Sequence, residues 1–185
     1  MNPHLTDEVR TELLADAYRR GYDYLSKWNA CAPTTFAAVM DTLGYAGDQL
    51  ARDIWKASIG LTGGTGNMAI GTCGAVAGAA MAVSLSFDYS REHIEQDNSK
   101  MLLVNKAVAE MGKQVKAAFG HIVCQEIQFN NWGKAYHFSN PSVLREFGEM
   151  AMNKSGTPGC REVTGTLARL AVETILEYNP QFVRL

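Results

Sequence analysis

The stretch GTCGAVAGAAMAVSLSF, residues 71–87, decides how the chain folds. Its residues are almost all small and apolar, with Gly74 and Gly78 one helical turn apart and Ala77, Ala79, Ala80 and Ala82 around them. Each glycine costs a helix about 1 kcal/mol relative to alanine. A helix from about Ala69 to Phe87 that keeps both must therefore be central, with bulk excluded beside it. A close helix crossing and a cofactor beside the Cys73 sulfur both explain that exclusion. From Ile59 to Phe87 there is no charged residue, a run long enough to cross ~30 Å of hydrocarbon. Its Gly, Ala, Ser and Thr contribute little transfer energy, so a buried central helix is expected and a membrane span is not.

Helix signals continue on both sides. Thr6 is placed to cap a helix carrying Asp7 and Glu8 in its first turn and Val9, Leu13, Ala17 and Leu25 along one face, ending near Trp28–Asn29. Pro33 suits the first turn of a second helix with Phe36, Val39, Met40 and Leu43, closed by Gly44. An amphipathic piece through Leu50, Ile54 and Trp55 leads into the glycine-dense loop 60–66. Beyond the small-residue helix, one long helix is expected from Ser90 to Phe119, with Leu102 or Leu103, Lys106 or Ala107, Met111 and Val115 on a mixed face. His121–Phe129 reads as helix or strand, and Asn130–Asn140 as an ordered loop. Asn140 and Pro141 start a helix through Met152, Ser155–Gly159 is a loop, and Cys160–Tyr178 is a clear amphipathic helix. No strand pattern persists. The expectation is an all-α, single-domain helical bundle over residues 1–185, with residues 1–27 as an N-terminal helix.

The 185 residues carry 17 Lys+Arg and 19 Asp+Glu, a formal net charge of −2, with 46% hydrophobic and 19% charged residues. That is an ordinary globular composition, with chain enough for a real core. It argues against nucleic acid as a partner, because phosphate binding needs a basic surface. The start MNPHLTDEVR lacks a basic region followed by an apolar one. A soluble, cytoplasmic protein is expected, although an export signal already removed would leave the same start.

Four cysteines, Cys31, Cys73, Cys124 and Cys160, form no CxxC pair and no CxxCH haem-attachment motif. Cys31, Cys73 and Cys160 fall at expected helix starts. There the unpaired N–H groups and the helix dipole stabilise a negative sulfur, lower the thiol pKa and favour metal binding or nucleophilic attack. Cys124 differs, sitting in His121-Ile-Val-Cys-Gln-Glu126 after a glycine break. Small buried hydrophobes and structural disulfides are the plain alternatives. The glycine loop lacks the GxxxxGK[ST] phosphate-binding spacing and reads instead as backbone that can wrap a cluster or pack near Cys73. His121 lies three residues before Cys124, a helical spacing that would make it a ligand or proton donor. His4 and His93 read as surface residues, and His137, between Tyr136 and Phe138, as loop packing. Trp132 and Tyr136 either wall a site or pack.

The order of Cys31, a glycine-rich loop, Gly71-Thr-Cys73-Gly-Ala-Val-Ala-Gly78, Cys124 and Cys160 resembles the C-GCAxxG-C-C family of redox-active proteins. Cys73, Gly74, Ala75 and Gly78 match the CGAxxG form of its core motif. The stretch Gly64–Ala82, Cys124 followed by Asn131-Trp132, and Cys160-Arg-Glu-Val-Thr-Gly165 also resemble the split-Soret cytochromes. The resemblance spans residues 28–178, and it implies a helical redox core in which the four cysteines converge. The split-Soret relatives carry haem and an iron–sulfur centre. Without CxxCH, covalent haem is not supported here, whereas four thiolates suit a [2Fe–2S] or [4Fe–4S] cluster, or zinc. An electron-transfer protein with Cys31, Cys73, Cys124 and Cys160 as ligands, Gly74 and Gly78 in support, and a redox partner protein is the leading expectation. A homodimer follows by analogy with the relatives. A cofactor-free thiol–disulfide oxidoreductase acting through Cys73 and Cys160, and a helical interaction module with structural zinc, are the alternatives.

Overall fold

Thr6 opens the first helix, α1 (Asp7–Trp28), by accepting the Val9 N–H on its side chain. Asp7 and Glu8 lie in the positive first turn, and Asn29 closes the helix in the left-handed region. The computed structural model describes residues 5–137, 141–153 and 156–184. His4, Phe138, Asn140 and Ser155 lie outside the described residues. After α1 come α2 (Cys31–Thr42), α3 (Gln49–Ser58), α4 (Gly74–Ser86), α5 (Arg91–Gln96), α6 (Ser99–Phe119), α7 (Cys124–Trp132), α8 (Leu144–Ala151) and α9 (Cys160–Tyr178). Among the described residues there is no strand, only an isolated antiparallel bridge between Thr72 and Val123. The fold is all-α, as the periodicity predicts. No helix among the described residues is long and apolar enough to cross a membrane.

The core forms around α9, whose Leu167, Ala168, Ala171, Val172 and Ile175 are fully buried. Helix α1 lies along it and inserts Leu13, Ala17 and Leu25, while α2 and α4 pack from the other side. Close crossings hold these layers together. A Cβ at Gly21 would sit 2.7 Å from the Thr164 carbonyl oxygen, and one at Gly165 would sit 2.8 Å from that of Tyr18. A Cβ at Gly78 would collide with the Ala32 carbonyl oxygen and lie 3.2 Å from the Phe36 nitrogen. The crossing of α4 over α2 therefore explains Gly78, and Ala75, Ala79, Ala82 and Val83 are fully buried around it.

Three boundaries depart from the sequence reading. Helix α4 begins at Gly74 rather than at Ala69. Residues 69–73 are instead drawn into backbone hydrogen bonds with residues 122–125, which compete with helix propensity and win. The expected helix from Ser90 to Phe119 is broken at Asp97, which is extended and accepts the Ser99 N–H on its carboxylate, so that α6 starts afresh. On α6, Ala107, Met111, Val115 and Phe119 are the buried face, while Leu102 and Leu103 are exposed. Helix α7 runs on through Trp132, absorbing the first residues of the expected loop.

Gly78→Ala is expected to destabilise the fold by about 1–3 kcal/mol in urea unfolding, because backbone cannot move aside as a side chain can. Gly112→Ala on α6, where a Cβ meets open space, is expected to stabilise by up to ~1 kcal/mol. Equal shifts for the two would contradict the crossing.

Candidate functional site

All four cysteines stand at the head of a helix. Cys31, Cys124 and Cys160 are the first residues of α2, α7 and α9, and Cys73 is the residue that caps α4. None of these four helices has a side-chain cap, whereas Thr6, Asp48 and Ser90 cap α1, α3 and α5. The four sulfurs line one cavity of about 240 Å³ with mainly apolar walls. Sequence reading placed three cysteines at helix starts. Cys124 is the fourth, hidden because His121–Phe129 reads equally as helix or strand.

Backbone pairing sets Cys73 beside Cys124. The Cys73 N–H donates to the Ile122 carbonyl at 2.8 Å, Cys124 N–H to Gly71 at 3.0 Å, and Gln125 N–H to Ala69 at 2.8 Å. The two thiols are close enough for Cys124 to influence the ionisation of Cys73. The glycine loop does wrap this pair, and it is tightly held. Gly63, Gly64, Thr65, Gly66 and Asn67 all have positive φ, between 57° and 72°. Gly66, Asn67, Ala69 and Gly71 donate back to the carbonyls of Gly60, Thr62, Gly63 and Gly64. The turn brings Gly64 so close that a Cβ there would lie 2.8 Å from the Cys124 Cβ, and it sets the Gly63 N–H 3.5 Å from the Cys31 sulfur. Gly74 is explained by the same neighbourhood, since a Cβ on it would lie 2.5 Å from the Cys31 sulfur.

The far wall comes from α7, α8 and the turn before α9. Trp132 Nε1 and Asn131 Nδ2 both donate to the Pro158 carbonyl, and the Gly159 N–H donates to Asn153 Oδ1, which fixes the approach to Cys160. Trp132 lines the cavity with Phe147, and Tyr136 packs edge-on against both rings. Trp132 thus walls the site while Tyr136 packs behind it. His121 is not helical with Cys124; its Nδ1 accepts the Val123 N–H at 3.0 Å. His137 is exposed rather than packed. All four cysteines are free thiols.

Desolvation reverses the expected thiol acidity at Cys31, Cys73 and Cys160, the first and last of which are half-buried residues whose sulfurs face the cavity. It pushes the Cys31 thiol up to about 12, aided by Cys73, while the N–H groups of Gly63, Cys31 and Ala32 pull the other way. The hydrogen bond with Cys124 and then burial drive Cys73 well above 9.0, against the N–H groups of Ala75 and Val76. Burial, with the charges of Cys31 and Cys73, does the same to Cys160. One further polar atom faces the cavity without a partner: the Thr62 hydroxyl is buried and makes no hydrogen bond. Among the described residues, no three Cys, His, Asp or Glu side chains gather closely enough to hold a single metal ion. The sulfurs ring the cavity.

Residues 29–174 match the family described as "Putative redox-active protein (C_GCAxxG_C_C)", which covers well over half of the chain and all four cysteines. No curated protein and no solved structure matches the chain.

Iodoacetamide labelling of the metal-free native protein at pH 8 is expected to be at least ~100-fold slower than in urea, because only the thiolate reacts. Labelling should rise as pH climbs from 9 toward 12. The same sign holds for stability: the neutral buried thiols favour the fold fully below pH 9, and that contribution is lost as pH rises through about 12. Native labelling as fast as in urea would contradict the buried-thiol site.

Proposed function

Because the chain belongs to the C_GCAxxG_C_C family of redox-active proteins, we propose that its four cysteines bind an iron–sulfur cluster and exchange electrons with a redox partner protein. The observation that carries this reading is the meeting of four helix N-termini, each headed by a cysteine and lacking a side-chain cap, at one cavity. Positive helix ends and free N–H groups favour an anionic occupant. The unpartnered Thr62 hydroxyl offers that occupant a hydrogen bond. Tetrahedral zinc would draw all four sulfurs to ~2.3 Å from one point, whereas a [4Fe–4S] or [2Fe–2S] cluster distributes its thiolates over separate irons. Sulfurs set around a cavity favour the cluster.

Cys31, Cys73, Cys124 and Cys160 are the proposed ligands. When bound, the cluster supplies reversible one-electron transfer. The protein's part is to hold and shield. The N–H groups of Ala75 and Val76 point at the Cys73 sulfur, and those of Gly63 and Ala32 at Cys31. Gly74 and Gly78 keep α4 close enough to α2 for Cys31 and Cys73 to share one cavity. Trp132 and Phe147 cover the cavity and limit water. Since burial keeps the Cys31, Cys73 and Cys160 thiols protonated when free, loading releases protons to solvent, and affinity rises with pH.

A second reading rests on the contact between Cys73 and Cys124. On oxidation these thiols would form a disulfide, passing two electrons and two protons to an oxidised dithiol acceptor. Backbone pairing sets Cys73 beside Cys124, so Cys124 is the proposed partner for Cys73 in this chemistry.

Protein purified without oxygen is expected to be brown, with iron and acid-labile sulfide in cluster ratio. Cys73→Ser should lose both and melt at lower temperature, since loading and folding are coupled. Colourless, iron-free protein with a mapped Cys73–Cys124 disulfide would move the assignment to thiol exchange. Zinc in place of iron, one per chain, would sink both.

A further inference from the structure

Helix α7 buries one polar side chain against the cavity. Gln128 is only 3% exposed, on a turn between Cys124 and Trp132. Its Nε2 lies 3.2 Å from the Cys124 sulfur, and its Oε1 lies 2.9 Å from the Tyr136 backbone nitrogen. These two contacts fix the amide's orientation without ambiguity. A backbone N–H can only donate, so the Gln128 oxygen must face Tyr136 and the NH₂ group must face the sulfur. A flipped amide would set two donors against each other.

Tyr136 is itself held in place. Gly133 ends α7 at a φ of 67°, which turns the chain back along the helix. The Tyr136 ring is buried, its hydroxyl donates to Glu146 at 2.8 Å, and Lys134 pairs with the same carboxylate at 2.8 Å. The Gln128 amide is therefore clamped from behind by an element that does not touch the cavity's other sulfurs.

We infer that Gln128 is the positioning residue of Cys124: its amide, oriented by the Tyr136 N–H, donates to the sulfur and sets the reduction potential of the centre to which Cys124 belongs. An N–H donated to sulfur stabilises the more negative, reduced state and raises the potential. The same sign applies to the thiolate form of a thiol–disulfide couple. The inference rests on the cluster reading for the identity of the couple, and on the geometry alone for the hydrogen bond.

Gln128→Met and Gln128→Glu test it beside the unaltered protein. The first removes the donor within a similar volume. The second keeps an acceptor for the Tyr136 N–H, so a purely structural role for Gln128 would spare it. Each protein is titrated anaerobically in two preparations. As purified, the visible absorbance of the centre is followed; stripped of metal, the Cys124 thiol is followed by alkylation and mass spectrometry in dithiothreitol buffers. Both variants are expected to show about tenfold less of the reduced form at a fixed poise, ~59 mV for a one-electron couple, at unchanged iron content. An unchanged ratio in both preparations, with native helical content, overturns the inference and leaves the cluster reading standing. Iron-free unaltered protein overturns the cluster reading, and the stripped preparation then decides Gln128 on its own.

Discussion

Four helices point their N-termini at one small space, and the rest of the molecule is arranged to keep them there. Positive helix ends repel one another when they converge, so α2, α4, α7 and α9 need negative charge or hydrogen-bond acceptors between them. The sulfurs of Cys31 and Cys73 take that part, facing backbone N–H groups at the starts of α2 and α4. None of the four helices around the cavity has the side-chain caps that α1, α3 and α5 use, and α6 and α8 lack them too. A conventional cap would satisfy the N–H groups locally and leave nothing to face the cavity. The close crossings at Gly78, and at Gly21 with Gly165, hold α4 against α2 and α1 against α9, where an added methyl group would meet backbone.

The left-handed turn shows how firmly that arrangement is held. Non-glycine residues in this region cost roughly 1–2 kcal/mol each, yet Thr65, Asn67 and Ala69 all adopt it. Backbone hydrogen bonds within the loop and from residues 69–73 to residues 122–125 over-determine the conformation. Strain retained beside functional groups is a recurrent feature of built sites. Here it wraps Gly64 against Cys124 and aims the Gly63 N–H at Cys31, linking the second, third and first cysteines through one loop.

The sequence made the helices legible wherever a local signal marks their ends. Thr6 and Asn29 bound α1, Pro33 lies in the first turn of α2, and Cys160–Tyr178 is α9 residue for residue. The reading failed where distant backbone decides. Ala69 looks like helix and is held left-handed, its carbonyl and that of Gly71 accepting from Gln125 and Cys124, some fifty residues away. Asp97 looks compatible with a continuous helix, yet its backbone is extended and its carboxylate accepts the Ser99 N–H instead. Convergence of the cysteines was implied by the family resemblance, but the helix start at Cys124 was not legible, because residues 121–129 fit a helix and a strand equally and no proline or glycine loop stands directly before Cys124. Gln128 carried no signal at all. A buried glutamine is distinguishable from a solvated one only when both its partners are in view, and Tyr136 becomes a partner only after the chain turns at Gly133.

The thiols illustrate why position along a helix does not determine chemistry. A helix N-terminus is worth at most ~2 kcal/mol to a negative group, a displacement of about 1.5 on the pKa scale. Cys31 moves the opposite way, from 9.0 to about 12, because burial removes water from its sulfur. The dipoles lose that contest for a bare thiolate. They win once a cation shares the charge, since a metal ion replaces the proton and deprotonates a coordinating thiol outright. The same four helix ends that are too weak to create a reactive nucleophile are therefore well suited to stabilising metal-bound sulfur. Under the proposed cluster reading, a cavity that keeps Cys31, Cys73 and Cys160 neutral when free and favours their anions when ligated would discriminate between cofactor binding and stray thiol chemistry, through burial and helix direction together.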